Sequence, residues 1–281
     1  MKLVLLAAGL ALAASTDYDY RRVVKEGEVQ RYDLERRLYS NDAPLYVATA
    51  VSSHTVSGAV ETIGLERYAK FTGRQPIDQS KDLAGFRGFS MPLADVPGKA
   101  PDLSGVEATL AGLLRDLHGL LAKLGPQAQF SRVKRIGDRF TRPGESSDWS
   151  SAAGSGSGCG LLTTELVGLS LSKATVRISY LAPETACLKM RKAWMEPPLA
   201  SGEPPNNLQQ VTRTGGSYRV QWGRRQYIVD AVLDRQTGRI LSAQSEDIRI
   251  LRERSGCDES LEHCSPASAA NLRRILKLTS R

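Results

Sequence analysis

Apolar and polar positions alternate with a period of two along much of the chain, the spacing of half-buried strands. After Val24-Lys25-Glu26-Gly27-Glu28, the residues Tyr32, Leu34, Arg36 and Leu38 share one face of a strand from Val29 to Tyr39. Ser40-Asn41-Asp42-Ala43-Pro44 is a cluster of turn formers, and Leu45 to Val56 resumes with β-branched residues. Gly58 separates this run from a third, Val60 to Phe71. The pattern predicts a β-meander, then an irregular stretch over residues 72–103.

The period then changes. Leu110, Leu113, Leu114, Leu117, Leu121 and Leu124 follow at three- and four-residue spacing, which makes one apolar stripe on a helix. Ser104-Gly105-Val106-Glu107 has the capping-box form at its start, and Gly125-Pro126 ends it. The polar face is not rich in Lys and Arg, so packing on a sheet is favoured over lying on a membrane.

Strand composition returns after the helix. Arg132 to Arg142 is basic and reads as strand plus turn, and residues 144–160, rich in Ser and Gly, read as a flexible surface loop. Leu161 to Leu181 is β in composition, and Glu196 to Asn207 is a Pro-rich connection. Thr214-Gly215-Gly216-Ser217 is a hairpin signal. Beyond it Tyr218, Val220 and Trp222 alternate with Arg219 and Gln221; Tyr227 to Leu233 and Ile240 to Ile250 follow as further strands. Tyr227, Val229, Ala231 and Leu233 are expected to continue the apolar face of Trp222. From Ser265-Pro266 onward, helix-start signals and a Leu272, Ile275, Leu276 stripe predict a short terminal helix.

The first residues bear on location. Met1-Lys2 is a short positive start and Leu3 to Leu12 is uncharged. Ala11-Leu12-Ala13, with Ala14, has the small-x-small form of a cleavage site before Ser15-Thr16-Asp17. The run is shorter than the about 20 apolar residues that span a bilayer. Residues 1–14 therefore read as a signal peptide, without a lipid-attachment cysteine after it. No later apolar run of spanning length follows, so a periplasmic or secreted protein with no membrane span is expected. The four cysteines agree: Cys257 with Cys264 and Cys159 with Cys187 is the favoured of three pairings in an oxidising compartment.

Composition narrows the function. A chain of 281 residues, 41% hydrophobic and 24% charged, can build a core and is not disordered by composition. The net charge of +8 is carried by arginine pairs spread along the chain, where a nucleic-acid binder would concentrate it with interleaved aromatics. Tyr218, Trp222, Arg224, Arg225 and Tyr227 come nearest to that pattern, so Arg224 and Arg225 are the candidate surface for an anionic or aromatic partner. Nucleic acid is disfavoured by the expected location, and a lipid or another envelope component fits better.

Catalytic and cofactor motifs are missing. The Gly154 to Gly158 stretch lacks the Gly-Lys-Ser/Thr of a phosphate loop and places Gly156 where a nucleophile elbow needs serine. Ser170-Leu171-Ser172-Lys173 matches S-x-x-K, but neither S-D-N nor K-T-G occurs downstream. There is no C-x-x-C, and His263 beside Cys264 lacks the converging ligands that zinc needs. His54 lies in an alternating strand and His118 on the polar side of the helix, neither with a partner by motif. No catalytic residue, cofactor or metal site is expected.

Lys25-Glu26-Gly27-Glu28-Val29-Gln30-Arg31-Tyr32 resembles the K-x-G-E-x-x-R-Y opening strand of uncharacterised secreted bacterial β-rich proteins. Ile136-Gly137-Asp138-Arg139-Phe140 is similar to the G-D-x-[W/F] element that such proteins carry after the helix. The two elements also resemble each other, which points to a duplicated β half. The resemblance implies no activity, since none is assigned to those proteins.

The expectation is an α+β fold, mainly antiparallel β, with two β-rich halves (15–103 and 126–281) and an amphipathic helix over 104–125 packed on a sheet. The leading function is a non-catalytic envelope-associated binding or accessory protein with a hydrophobic-ligand pocket. The alternative is an extracytoplasmic hydrolase using carboxylates or serines brought together by the fold, and the third reading is a binder of anionic polymers.

Overall fold

A computed structural model describes residues 18, 20, 22–72, 75–93, 100–125, 130–144 and 155–281. The expected signal peptide (1–14) and the first part of the Ser/Gly loop (145–154) lie outside the described residues. The strands are β1 (Val29–Ser40), β2 (Ala43–Ser57), β3 (Val60–Thr72), β4 (Gln75–Asp78), β5 (Phe89–Pro92), β6 (Arg139–Pro143), β7 (Ser155–Gly158), β8 (Leu161–Leu169), β9 (Lys173–Leu181), β10 (Leu208–Thr214), β11 (Ser217–Asp234), β12 (Ile240–Cys257), β13 (Ser268–Ala269) and β14 (Leu272–Ser280). The long α-helix of the described residues, α1 (Ala108–Leu124), stands between β5 and β6.

All of these strands belong to one antiparallel sheet. Its main path runs β4-β3-β2-β1-β14-β12-β11-β9-β8-β6, and shorter strands share the flanks of long ones. Thus β10 pairs with Ser217–Gly223 of β11 and β9 with Tyr227–Asp234, end to end on the same side. The two β-rich stretches expected on either side of the helix meet where β14 pairs with β1 on one edge and β12 on the other.

Alternation sets the two faces. Tyr32, Leu34, Ala48, Ala50, Leu276, Leu278, Ala243, Val229, Ala231, Leu166, Val176 and Ile178 all join one core cluster with the leucines of α1. Strands from both ends of the path contribute, so the sheet curls around the helix. Eleven of the helix's 17 residues are buried, well beyond the single stripe of a surface helix. His118 is among them, edge-on to Phe89 at 5.6 Å between ring centres, and not on a polar face as expected. Only a narrow side, marked by Arg115, Gly119, Ala122 and Lys123, keeps partial contact with solvent.

The helix begins later than its sequence suggests. Its N-cap is Glu107, whose Oε2 accepts from the amides of Thr109 and Leu110 at 2.9 Å. Ser104 is taken by a separate turn, in which Asp102 Oδ1 accepts from its amide and hydroxyl and Gly105 sits at φ +76°. A carboxylate at this end also suits the helix dipole.

Three other expectations change. The predicted terminal helix is β14, because Leu272, Arg274, Leu276 and Leu278 present a strand face that fills the gap between β1 and β12. Ser155–Gly158, expected as flexible loop, is β7, whose backbone pairs with Leu208–Val211. The runs 218–222 and 227–233 are one 18-residue strand, β11. Even and odd residues of a continuous strand face opposite sides. Val229, Ala231 and Leu233 therefore enter the main core, while Val220 and Trp222 point to the other face. There they pack with Met190, Met195, Val211, Leu261 and Cys257 in a second, smaller core, with Trp194 edge-on to Trp222 at 4.8 Å.

Gly223 makes that continuity possible. At φ +144° it lies so close to β12 that a Cβ would stand 2.3 Å from the carbonyl oxygen of Ile250. The second core is tied down by the disulfide Cys257–Cys264, and Cys159–Cys187 anchors the segment leading into it; both pairings are the expected ones.

Candidate functional site

Beneath α1 the apolar inner face is interrupted by charge. Arg36 of β1 donates from Nε to Asp116 Oδ2 at 2.6 Å, and Arg274 of β14 donates from Nη1 to Asp116 Oδ1 at 2.8 Å. Asp116 is the helix's contribution. Arg274 also donates to Asp247 of β12, which accepts from Arg225 of β11 at 2.8 and 3.0 Å and from Arg249 at 3.3 Å. Register brings these side chains together: Arg225 lies opposite Arg249 and Asp247 opposite Arg274 in neighbouring strands. A seam of four guanidinium groups and two carboxylates thus runs across four strands.

The seam is poor in acid. Arg36 is 3% exposed and Asp247 4%, yet Arg36 Nη1 and Arg249 Nε are buried without a hydrogen-bond partner. Burial alone would raise Asp247, but the charges of Arg274, Arg249 and Arg225 outweigh it and hold the carboxyl well below its usual range. Burial pulls Arg249 down to about 10 against the attraction of Asp247, with Arg274 and Arg225 adding to the fall. Gly112 of α1 is what lets the Arg36 guanidinium lie against the helix, since a Cβ there would meet it at 3.0–3.1 Å. Arg36 and Lys70 also both approach the Tyr46 ring, at 5.2 and 5.6 Å from its centre.

Arg224 and Arg225 are therefore not a surface. Each is 8% exposed, Arg224 bound to Glu203 at 2.6 Å and Arg225 to Asp247. As neighbours on a strand they face opposite ways, one into the segment after β9 and one into the seam. The arginine-aromatic spacing was legible, but its burial was not, because the acids that neutralise it are 21 and 22 residues away.

A second buried polar chain lies nearer the N-terminal end of β1. Ser52 Oγ is 3.1 Å from His54 Nε2, and His54 Nδ1 is 3.3 Å from Glu61 Oε1, which also accepts from Arg22 at 2.6 Å. Burial would raise Glu61, but the His54 hydrogen bond and the Arg22 charge bring it down to about 2. An ionised carboxylate only accepts, so the proton of the His54 ring faces Glu61 and Nε2 faces the serine. The order is that of a Ser-His-acid relay, and Ser52, His54 and Glu61 are 0, 1 and 2% exposed. Sequence reasoning missed these partners for His54. Ser52 at i−2 on the same strand face was the available signal.

The outer face holds a recess of about 800 Å³ over β14, β1, β2 and β3, lined by Asp33, Glu35, Arg67, Asp78, Lys277 and Arg281 among others. Charged side chains rim it, Arg281 donating to Asp33 at 2.6 Å, while Leu34, Ala50, Val51 and Ala69 give it apolar surface as well. His263 bonds Asp258 at 2.7 Å within the exposed Cys257–Cys264 loop. The Ser170 hydroxyl closes a hairpin turn on the Lys173 backbone, accepting from its amide at 3.0 Å and donating to its carbonyl at 3.3 Å. Among the described residues, no three His, Cys, Asp or Glu side chains gather as a metal set, and no helix is long and apolar enough to cross a membrane.

Fold and seam together define a curled antiparallel sheet filled by one ion-paired helix. No protein-family model and no curated protein matches the chain. Among solved structures, one of lipid-protein interactions in lipovitellin is similar over 92% of this chain, at 12% identity and a TM-score of 0.48. The chain spans 25% of that protein's length. An in-vitro folded outer membrane protein OmpT of Vibrio cholerae is similar over 92% of this chain and 100% of its own, at 10% identity and a TM-score of 0.16. Salmonella typhi OmpF in complex with daunomycin covers 90% of this chain and 97% of its own, at 7% identity and a TM-score of 0.16.

Proposed function

We propose that the protein is a non-catalytic, periplasmic or secreted binding protein of the cell envelope that takes a hydrophobic ligand between its sheet and α1. One observation carries the reading: the helix that fills the sheet is fastened by a buried ionic seam in the middle of an otherwise apolar contact. A buried ion pair is a poor stabiliser compared with apolar packing of the same volume, and its best-attested use is to fix one register of a movable element. With α1 displaced, Leu34, Leu276, Leu278 and Val229 would line an apolar trough, and a ligand there would replace the leucines of the helix. The two disulfides agree with an extracytoplasmic location. We also propose kinship with secreted β-rich proteins on Lys25, Gly27, Glu28, Arg31 and Tyr32.

Organic extraction of natively purified protein, read by mass spectrometry, tests the proposal. An apolar molecule or lipid at near-stoichiometric amount is expected, as is saturable uptake of a fluorescent fatty acid by the stripped protein. An empty extract together with no saturable uptake would overturn it.

The hydrolase reading is favoured by the Ser52–His54–Glu61 chain. It requires Ser52 to become accessible, since its side chain is shut from solvent. A fluorophosphonate probe that adds one mass increment to the intact protein, lost in Ser52→Ala, would support it. An unlabelled wild-type protein would remove it.

A further inference from the structure

We propose that one rim of the sheet docks on an anionic lipid bilayer surface, through apolar turn tips set among cations. Four chain segments meet there. Val23 donates its amide to Thr237 O at 2.7 Å, and Arg235 donates its amide to Ser172 O at 2.9 Å. Tyr18 donates to Lys134 O at 2.8 Å while lying close enough to Asp234 and Arg235 to feel both charges. Gly137 donates to Leu166 O near the end of β8. The segment before β1, the loop before β6, the β8–β9 turn and the β11–β12 turn are therefore neighbours on the same rim.

Each segment presents an aliphatic side chain or a cation to solvent. Leu171 is 90% exposed at the tip of the β8–β9 turn, Ile136 62% and Val23 50%. These are the wrong residues for solvated turns, and two of them are held rigidly outward. Asp138 accepts from the amides of Lys134 and Arg135 at 2.9 Å, which fixes the loop that carries Ile136. Ser170 Oγ accepts from the Lys173 amide at 3.0 Å, and Arg235 Nη1 donates to Ser170 O at 3.2 Å, which fixes the turn that carries Leu171.

Charge identifies the occupant. Lys134, Arg135, Lys173 and Arg235 belong to the same rim segments as the three aliphatic tips, and these cations outnumber the local acids, whose carboxylates are engaged by backbone amides. Asp138 is occupied by two backbone amides, and Asp234 accepts from the amides of Gln236 and Thr237. A protein partner with an apolar pocket would explain the tips but not the ring of cations. An anionic bilayer accommodates both, since aliphatic tips enter the acyl boundary and Lys and Arg remain among the headgroups. The proposal goes beyond ligand binding and holds whether or not the interior takes a ligand.

The test is flotation of the full chain with vesicles of phosphatidylglycerol and phosphatidylethanolamine, and separately of phosphatidylcholine alone. Wild-type protein should float with the anionic vesicles and stay behind with the neutral ones. Leu171→Asp with Ile136→Asp should weaken partitioning by about tenfold or more, the scale set by burying one large aliphatic side chain. Lys173→Glu with Arg235→Glu should weaken it and remove its salt dependence, with thermal melts of both variants showing that they fold. Equal flotation on neutral vesicles, equal flotation of the aspartate variant, or no flotation of the wild type would overturn the proposal. So would concentration-dependent dimerisation abolished by Leu171→Asp in the absence of vesicles, which would assign the rim to a second copy.

Discussion

At the scale of single residues, parity along β11 decides what Trp222 does. It is 6% exposed in the second core, and its neighbour Arg219 is an exposed partner of Glu253. Trp222→Ala should cost roughly 3–5 kcal/mol, the range for deleting a large buried aromatic. Arg219→Ala should stay within about 0.5 kcal/mol. Urea melts of the two variants check this, and equal midpoints would show that Trp222 is not packed as described. Gly112 offers a sharper case. Alanine is the better helix former by about 1 kcal/mol. Yet its Cβ would press on a guanidinium that Asp116 pins at 2.6 Å, so Gly112→Ala should lower the melting temperature instead of raising it. Combining it with Arg36→Leu should remove the conflict, and the double variant should recover part of the loss.

At the scale of elements, the chain was legible where local pattern and final environment agree. The leucine stripe of α1, the β1–β2–β3 meander and the two short-range disulfides all fall in that class. The tail did not, for a geometric reason. Leu272 and Leu276 lie on one face both at a helical spacing of four and at a strand spacing of two plus two, and only the waiting edges of β1 and β12 choose between them. β11 was divided in two because Gly223-Arg224-Arg225 reads as a break when partners 20 residues away are unseen. The Ser52–His54–Glu61 chain was half visible, since parity joins the first two and only the β2–β3 hairpin brings the third. β14 also carries a prediction. A chain stopped after Asn271 would leave β1 and β12 with facing, unpaired edges across the middle of the sheet. Unpaired edges invite association between chains. Such a chain should aggregate on oxidative refolding, which light scattering reads directly, whereas full-length protein should remain monodisperse.

At the scale of the whole molecule, two buried anions set the acid limit. Glu61 sits at about 2 and Asp247 well below the usual carboxylate range, so both ionise more readily in the folded chain than in the unfolded one. A depressed folded value contributes stability that is complete above the unfolded value and is lost as pH falls toward the folded one. For Glu61 the contribution is on the order of 3 kcal/mol, present above about pH 4.5 and gone near pH 2. Urea midpoints should therefore be level from neutrality to about pH 5 and fall steeply below it. Glu61→Gln should start lower and fall less; a slope unchanged in that variant would assign the acid sensitivity elsewhere.

The position of β14 has one more consequence, in time. Tyr32 of β1 pairs with Ser280, so the central seam of the sheet waits for residues some 248 positions downstream. Pairings of such sequence separation make folding slow, because a long loop must close before any contact rewards it. Until that strand emerges, the growing chain has an interrupted sheet and no complete enclosure for its leucine helix. What can form earlier is local: the hairpins β1–β2, β2–β3 and β8–β9 close between neighbours in sequence, and the last nine-residue strand joins the two arms into one sheet.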